Sequence, residues 1–189
     1  METKTLPKQP RGSITLILAC MYAGKTTELG RQIRRARVAK RKCVMASYTG
    51  DTRYTQSNEV VSHDGLTVEC LKCEKLAMIL DILYTYDVIC VDEVQFIEDA
   101  PAVLNELANA GKTIFAAGLN GTFERQTFPV MAQMLALSEH LIKLDAICMG
   151  CGDTANFSYK VQSDTGSPVK DIHAQYIPLC RQCFNMRQK

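Results

Sequence analysis

The run Ile14-Thr-Leu-Ile-Leu-Ala-Cys-Met-Tyr-Ala-Gly-Lys-Thr-Thr27 decides the fold, because an apolar β-prone segment breaks there into a loop of small residues and opens at Gly24-Lys25-Thr26 onto a helical pattern. It reads as a phosphate-binding loop spanning Ala19, Cys20, Met21, Tyr22, Ala23, Gly24, Lys25, Thr26 and Thr27. In such a loop backbone N–H groups and the positive end of the following helix face a polyphosphate. Lys25 supplies a point charge to the β- and γ-phosphates, and Thr26 offers a hydroxyl to Mg²⁺. The ligand is then ATP or GTP. The pattern G-x-x-x-x-G-K-[ST] is met except at its first position, where Ala19 stands; Ala serves there if φ stays negative. A buried strand, a turn and a basic helix with a solvated Lys25 would give the same local pattern, so the remaining segments must discriminate.

Asp87-Val-Ile-Cys-Val-Asp-Glu93 does so. A hydrophobic strand ending in a carboxylate is what a phosphate-loop enzyme needs to hold Mg²⁺ opposite the loop hydroxyl. Asp92 belongs by the metal, and Glu93, where the chain leaves the sheet, has room to act on a nucleophile. Around these two segments strand and helix patterns alternate. Cys43 to Tyr48 and Lys112 to Ala117 read as buried strands; Thr26 to Lys42, Glu74 to Tyr84, Ala100 to Ala110 and Val130 to Leu141 read as helices. The pattern predicts an α/β fold, a RecA-like parallel sheet with helices on both faces. In open α/β sheets, residues just past strand C-termini line the ligand crevice, which makes Asp51 and Arg53 site candidates alongside Phe123 and Phe128.

Two C-x-x-C pairs, Cys148-Met-Gly-Cys151 and Cys180-Arg-Gln-Cys183, are separated by a polar stretch. Four thiolates in that arrangement suit a closed, structural tetrahedral Zn²⁺ site that holds a lobe lacking a sufficient core of its own. Cys70-Leu-Lys-Cys73 is a competing pair. The C-terminal two are preferred because they bracket a region of distinct composition, and Cys70 and Cys73 read as free thiols. The chain thus divides into a loose tail at 1–12, a nucleotide-binding domain at 13–145 and a zinc-bound lobe at 146–189.

Composition narrows the class. A chain of 189 residues carries one domain or one with an appendage, and a formal net charge of +2 argues against a dedicated polyanion binder. Nine Cys without a secretory signal in polar Met1 to Gly12 point to a reduced, cytoplasmic compartment. No run approaches the roughly 20 apolar residues of a membrane span, so a soluble protein is expected. The basic run from Arg31 to Lys42 reads as a solvated helix face.

Taken together, Met21 to Leu29, Asp51-Thr-Arg-Tyr54, Ser62-His-Asp64, Asp92-Glu-Val-Gln-Phe96, Ala110-Gly-Lys-Thr113, Leu119-Asn-Gly-Thr-Phe-Glu-Arg125 and the two cysteine pairs resemble the type II thymidine kinases, the zinc-containing class shared by cells and large DNA viruses. The resemblance runs from Ser13 to Phe184. It implies transfer of the ATP γ-phosphate to the 5′-hydroxyl of thymidine, giving dTMP for DNA synthesis by salvage. On that resemblance Lys25 and Thr26 serve phosphates and Mg²⁺, Asp92 the metal, Glu93 accepts the hydroxyl proton, Arg53 helps with phosphate charge and Asp51 with the substrate. Met21, Phe96, Leu119, Phe123 and Phe128 match base-pocket positions. Val169, Asp171 and Tyr176 fall in the lasso loop that closes over the nucleoside. A homotetramer, feedback inhibition by dTTP, and no stable nucleic-acid or membrane partner are further implications.

The chain departs from the family pattern at Ala19-Cys20, where Gly-Pro is usual, at Val169-Lys170-Asp171-Ile172, where an apolar pair precedes Gly-Gly, and at Asn120, where Asp is frequent. Two rival readings follow. A nucleic-acid-stimulated ATPase would grip a strand with the zinc lobe and basic helix; a catalytically silent relative would bind nucleotide without turnover.

Overall fold

Alternating apolar runs build alternating strands and helices. In the computed structural model, which describes residues 11–50, 59–61, 67–162 and 175–187, the chain begins β1 (Ser13–Ala19), α1 (Lys25–Val38), β2 (Cys43–Tyr48), β3 (Glu59–Val61) and β4 (Thr67–Cys73). A 3₁₀ turn (Leu76–Ile79) runs into the one-turn α2 (Leu80–Leu83), then come β5 (Val88–Asp92), a second 3₁₀ turn (Val94–Phe96), α3 (Ala100–Asn109), β6 (Thr113–Leu119), α4 (Pro129–Leu137) and β7 (His140–Lys143). The remainder is β8 (Ala146–Ile147), β9 (Thr154–Ala155), β10 (Phe157–Gln162), β11 (Gln175–Leu179) and α5 (Arg181–Arg187).

The main sheet has the order β3-β4-β2-β5-β6-β1-β7. Six strands are parallel and β3 runs antiparallel to β4. Such a sheet needs cover on both faces, and the alternation of side chains along each strand supplies an apolar surface to each. Leu29, Ile33 and Ala36 of α1 pack with Ile17, Met45, Cys90 and Ala117 on one side. Val103, Leu104 and Leu107 of α3, with Met131 and Met134 of α4, pack with Leu16, Val44, Ile89, Val91, Ile114 and Ala116 on the other. Each fully buried Leu or Ile is worth roughly 1.5–3 kcal/mol relative to exposure. The expected α/β class holds. Parallel register brings Ala19 opposite Leu119 and Ser47 opposite Asp92, so the C-terminal ends of β1, β2, β5 and β6 form one edge.

Local expectations needed correction in two places. Glu74 to Tyr84 is not one helix: Asp99 accepts the N–H groups of Leu76 (3.0 Å) and Ala77 (2.9 Å), capping a 3₁₀ turn in place of a continuous α-helical start. The helix expected to reach Leu141 stops at Leu137, and His140–Lys143 becomes the edge strand β7, paired with β1. Cys70 and Cys73 both lie in β4 and are buried on opposite faces of the sheet, one in each apolar cluster.

The C-terminal region forms two small two-stranded sheets, β8 with β9 and β10 with β11, capped by α5. Its apolar cluster of Ala146, Cys148, Ala155, Leu179, Cys183 and Phe184 also takes in Cys20, and Ala23 packs against it. The small lobe therefore shares its core with the loop after β1. Residues 1–10, most of the expected tail, lie outside the described residues.

Candidate active site

The loop after β1 begins in extended conformation: Ala19 is the last residue of β1 and is in register with Leu119, so no glycine is required there. Glycine is required at Gly24, which enters α1 at φ 82. Gly24 has no side chain with which to cap this 14-residue helix, and a helix N-terminus with its positive dipole end is a ready anion site. Tyr22 takes φ 63 and is exposed, a conformation that costs a non-glycine residue about 1–3 kcal/mol. Lys25 is buried, with its ammonium donating to the Cys20 carbonyl (3.2 Å).

Across the crevice β5 delivers the carboxylates. Thr26 Oγ1 donates to Asp92 Oδ2 at 2.7 Å, and the Glu93 N–H donates to Asp92 Oδ1 at 2.9 Å. A hydroxyl and a fully buried carboxylate oxygen in contact form the donor set that a hard, oxygen-seeking Mg²⁺ takes in a nucleotide site. Glu93 sits at φ 54, where the chain turns out of the sheet, and its carboxylate accepts a bond from Gln95 Nε2 at 2.5 Å. Gln95 Oε1 in turn accepts the Leu119 N–H at 3.2 Å. Buried Gln95 thus ties the acidic pair to the end of β6, and sequence reading gave it no role.

The expected base-pocket residues separate into two groups. Phe96 and Phe128 meet edge to face with centroids 6.0 Å apart, and Tyr48, at the end of β2, adds a third ring 5.6 Å from Phe96. Phe123 lies instead under Lys160 of β10, whose ammonium is 5.0 Å from the ring centroid. Tyr176 is in strand β11, paired with Lys160, so it flanks the same strand pair. Leu119 ends β6, and the Met21 N–H donates to the Ser158 hydroxyl of the small lobe at 3.0 Å. Asp51, Arg53, Val169 and Asp171 lie outside the described residues.

The Sγ atoms of Cys148, Cys151, Cys180 and Cys183 lie within 4.8 Å of one another, the one such cluster among the described residues. Cys151 and Cys180 Sγ are 3.7 Å apart, close to the ~3.8 Å edge of a tetrahedron with Zn–S bonds of about 2.3 Å. Backbone N–H groups of Cys180 (3.2 Å) and Gly150 (3.4 Å) donate to Cys148 Sγ. With Cys151 they pull its thiol down to about 6 against an opposing push from burial, favouring the thiolate that binds metal. The four residues fit structural zinc. Cys70 and Cys73 cannot share an ion, since they face opposite sides of the sheet.

A phosphate loop thus has a hydroxyl–carboxylate pair at its helical end and a four-thiol lobe packed against it, and residues 12–184 match the family model described as thymidine kinase. The chain belongs to the thymidine kinase family. Among curated relatives, thymidine kinase 1 of Dictyostelium discoideum is 38% identical over 95% of this chain and 81% of its own length. The thymidine kinase of raccoon poxvirus is 36% identical over 92% of this chain and 97% of its own length. Among solved structures, the flagellar accessory protein FlaH of Methanocaldococcus jannaschii aligns over 78% of this chain and 76% of that chain, with a TM-score of 0.49 and 16% identity. Membership in this family makes the chain a kinase, with ATP as its phosphoryl donor. No described helix is long and apolar enough to cross a membrane.

Proposed function

We propose that the protein transfers the γ-phosphate of ATP to the 5′-hydroxyl of thymidine, giving dTMP and ADP. The single observation that carries this reading is the family match across residues 12–184, which takes in the Thr26, Asp92 and Glu93 arrangement. The N–H groups at the start of α1 and the Lys25 ammonium hold the β- and γ-phosphates. The Glu93 carboxylate accepts the proton from the 5′-hydroxyl as that oxygen bonds to the γ-phosphorus. The bond to the bridging oxygen breaks, and that oxygen leaves with ADP. In a loose phosphoryl transition state most of the gain comes from positioning and charge neutralisation, so a modest carboxylate base suffices. Thr26 and Asp92 would hold Mg²⁺, which when bound neutralises phosphate charge. Arg53 would add positive charge and Asp51 would meet the substrate.

The base is received by Met21, Phe96, Leu119, Phe123 and Phe128, with Tyr176, Val169 and Asp171 on the closing segment. The aromatic contact of Phe96 with Phe128 supports this pocket. Structural zinc on Cys148, Cys151, Cys180 and Cys183 holds residues 146–189 as a lobe beside the nucleotide-binding domain of residues 13–145. A cytoplasmic homotetramer inhibited by dTTP completes the reading, supported by the resemblance alone.

A nucleic-acid-stimulated ATPase is less favoured. Arg125 of the loop after β6, with Arg181 and Arg187 of the small lobe, lie over the chain's own Phe157, Phe184 and Tyr159 rings, leaving those rings poorly placed to stack on bases. ADP release measured with thymidine, deoxycytidine or single-stranded DNA as the only addition tests the choice. Release that depends on thymidine and yields dTMP supports the kinase; release that rises with DNA alone overturns it.

A further inference from the structure

The small lobe meets the phosphate loop through the Ser158 hydroxyl, which accepts the Met21 N–H, and through two side chains of the nucleotide-binding domain, Cys20 and Asn120. Cys20 is fully buried, and its thiol donates to the Ala155 carbonyl at 3.5 Å, across 135 residues of sequence. Asn120 Nδ2 donates to the next carbonyl, that of Asn156, at 2.9 Å. Both acceptors sit at the end of the β8–β9 hairpin, whose connecting turn carries Cys148 and Cys151; the Cys148 N–H closes that turn on the Asp153 carbonyl at 2.7 Å. On the other side, the Cys20 carbonyl accepts the Lys25 ammonium at 3.2 Å, and the Asn120 N–H donates to the Ala19 carbonyl at 3.1 Å. A continuous path therefore runs from the cysteine cluster through two adjacent carbonyls to the backbone that positions Lys25.

The chemistry of the two donors matters. A proline at position 20 would offer no side-chain donor, and an ionised aspartate at position 120 could only accept. Burial pushes the Cys20 thiol up in spite of Lys25 nearby, keeping the proton it donates. We infer that Cys20 and Asn120 are positioning residues that latch the phosphate loop to the cysteine-bound lobe, so that metal binding in the lobe and ATP binding at Lys25 are coupled. The inference rests on the phosphate-loop part of the proposed function and not on the identity of the nucleoside.

Coupling between two sites is reciprocal, and both directions are measurable. In zinc-loaded protein, Mg-ATP affinity is read by calorimetry for wild type, Cys20→Ala, Cys20→Ser, Asn120→Ala, Asn120→Asp and the Cys20→Ala/Asn120→Ala double variant. Zinc release to a chelator that spares Mg²⁺ is read with and without ATP. The expected result is a Kd weakened about tenfold in the double variant, as two hydrogen bonds of ordinary strength are lost. Asn120→Asp weakens binding more than Asn120→Ala, because a carboxylate then faces a carbonyl, and Cys20→Ser retains near wild-type affinity. ATP slows zinc release from wild type and not from the double variant. A variant that cannot keep its zinc reports the same coupling from the other side. Equal ATP affinity in wild type and the double variant, with zinc release indifferent to ATP in both, overturns the inference. Wild type that binds no ATP at all would instead overturn the proposed function.

Discussion

Thr26 Oγ1 and Asp92 Oδ2 lie 2.7 Å apart, joining the first turn of α1 to the end of β5 across the crevice. Neither residue is near the other in sequence, and the parallel register of β1, β6 and β5 is what sets them face to face. Replacement of Asp92 by Asn keeps the shape and removes the charge. It should lower kcat by about 10²–10³ and raise the Mg²⁺ concentration needed for half-maximal rate. A magnesium titration of both proteins checks this.

Gln95 bridges Glu93 and the Leu119 N–H, so Gln95→Leu should release the carboxylate from one orientation and remove one buried and one part-buried hydrogen bond. A fall in kcat of about tenfold is expected, with the ATP KM nearly unchanged, alongside about 1–3 kcal/mol lost in stability. Steady-state kinetics and a thermal melt separate the two effects. Equal kcat for both proteins would mean that Glu93 is held without Gln95.

Gly118 leaves the room that Gln95 occupies. A Cβ there would stand 2.6 Å from Met131 Sδ and 2.8 Å from Gln95 Oε1. Gly118→Ala should therefore destabilise by about 1–3 kcal/mol, lowering Tm by several degrees, and should reduce kcat in step with the displacement of Gln95.

The phosphate loop, the Asp92-Glu93 pair and the cysteine lobe were legible in the sequence because each is a local pattern with a chemical reason for its spacing. Contacts between them were not. Cys20 with Ala155 and Asn120 with Asn156 depend on how a late lobe folds back on an early loop, and no periodicity encodes that. The left-handed backbone at Tyr22 and Glu93 was hidden for a related reason, since neither residue type announces positive φ. The β7 edge strand was read as the end of a helix: Ser138 turns the chain to ψ 135 with no glycine or proline to mark the stop. Asp99, 22 residues beyond Ala77, broke the helix expected over Glu74 to Tyr84, again a tertiary effect overriding a local preference.

Zinc content distinguishes the two cysteine groups. Cys180→Ser should lose the bound metal and loosen the small lobe, while a Cys70→Ser/Cys73→Ser protein should keep one zinc per chain, because those thiols face opposite sides of the sheet. In the native protein alkylation should spare Cys73 and Cys90: burial pushes the first up to about 11 and the second higher still. Mass spectrometry of protein labelled before and after unfolding reads both results.

The most direct test of the central claim follows labelled γ-phosphate from Mg-ATP onto thymidine, with zinc-loaded wild type beside Glu93→Gln. The account predicts label at the 5′ position of dTMP for wild type and a rate about 10²–10⁴ lower for the variant, which keeps the side chain's size but cannot accept the proton. Folded wild type that transfers no label to any nucleoside, or a variant that transfers it as fast as wild type, would contradict the account.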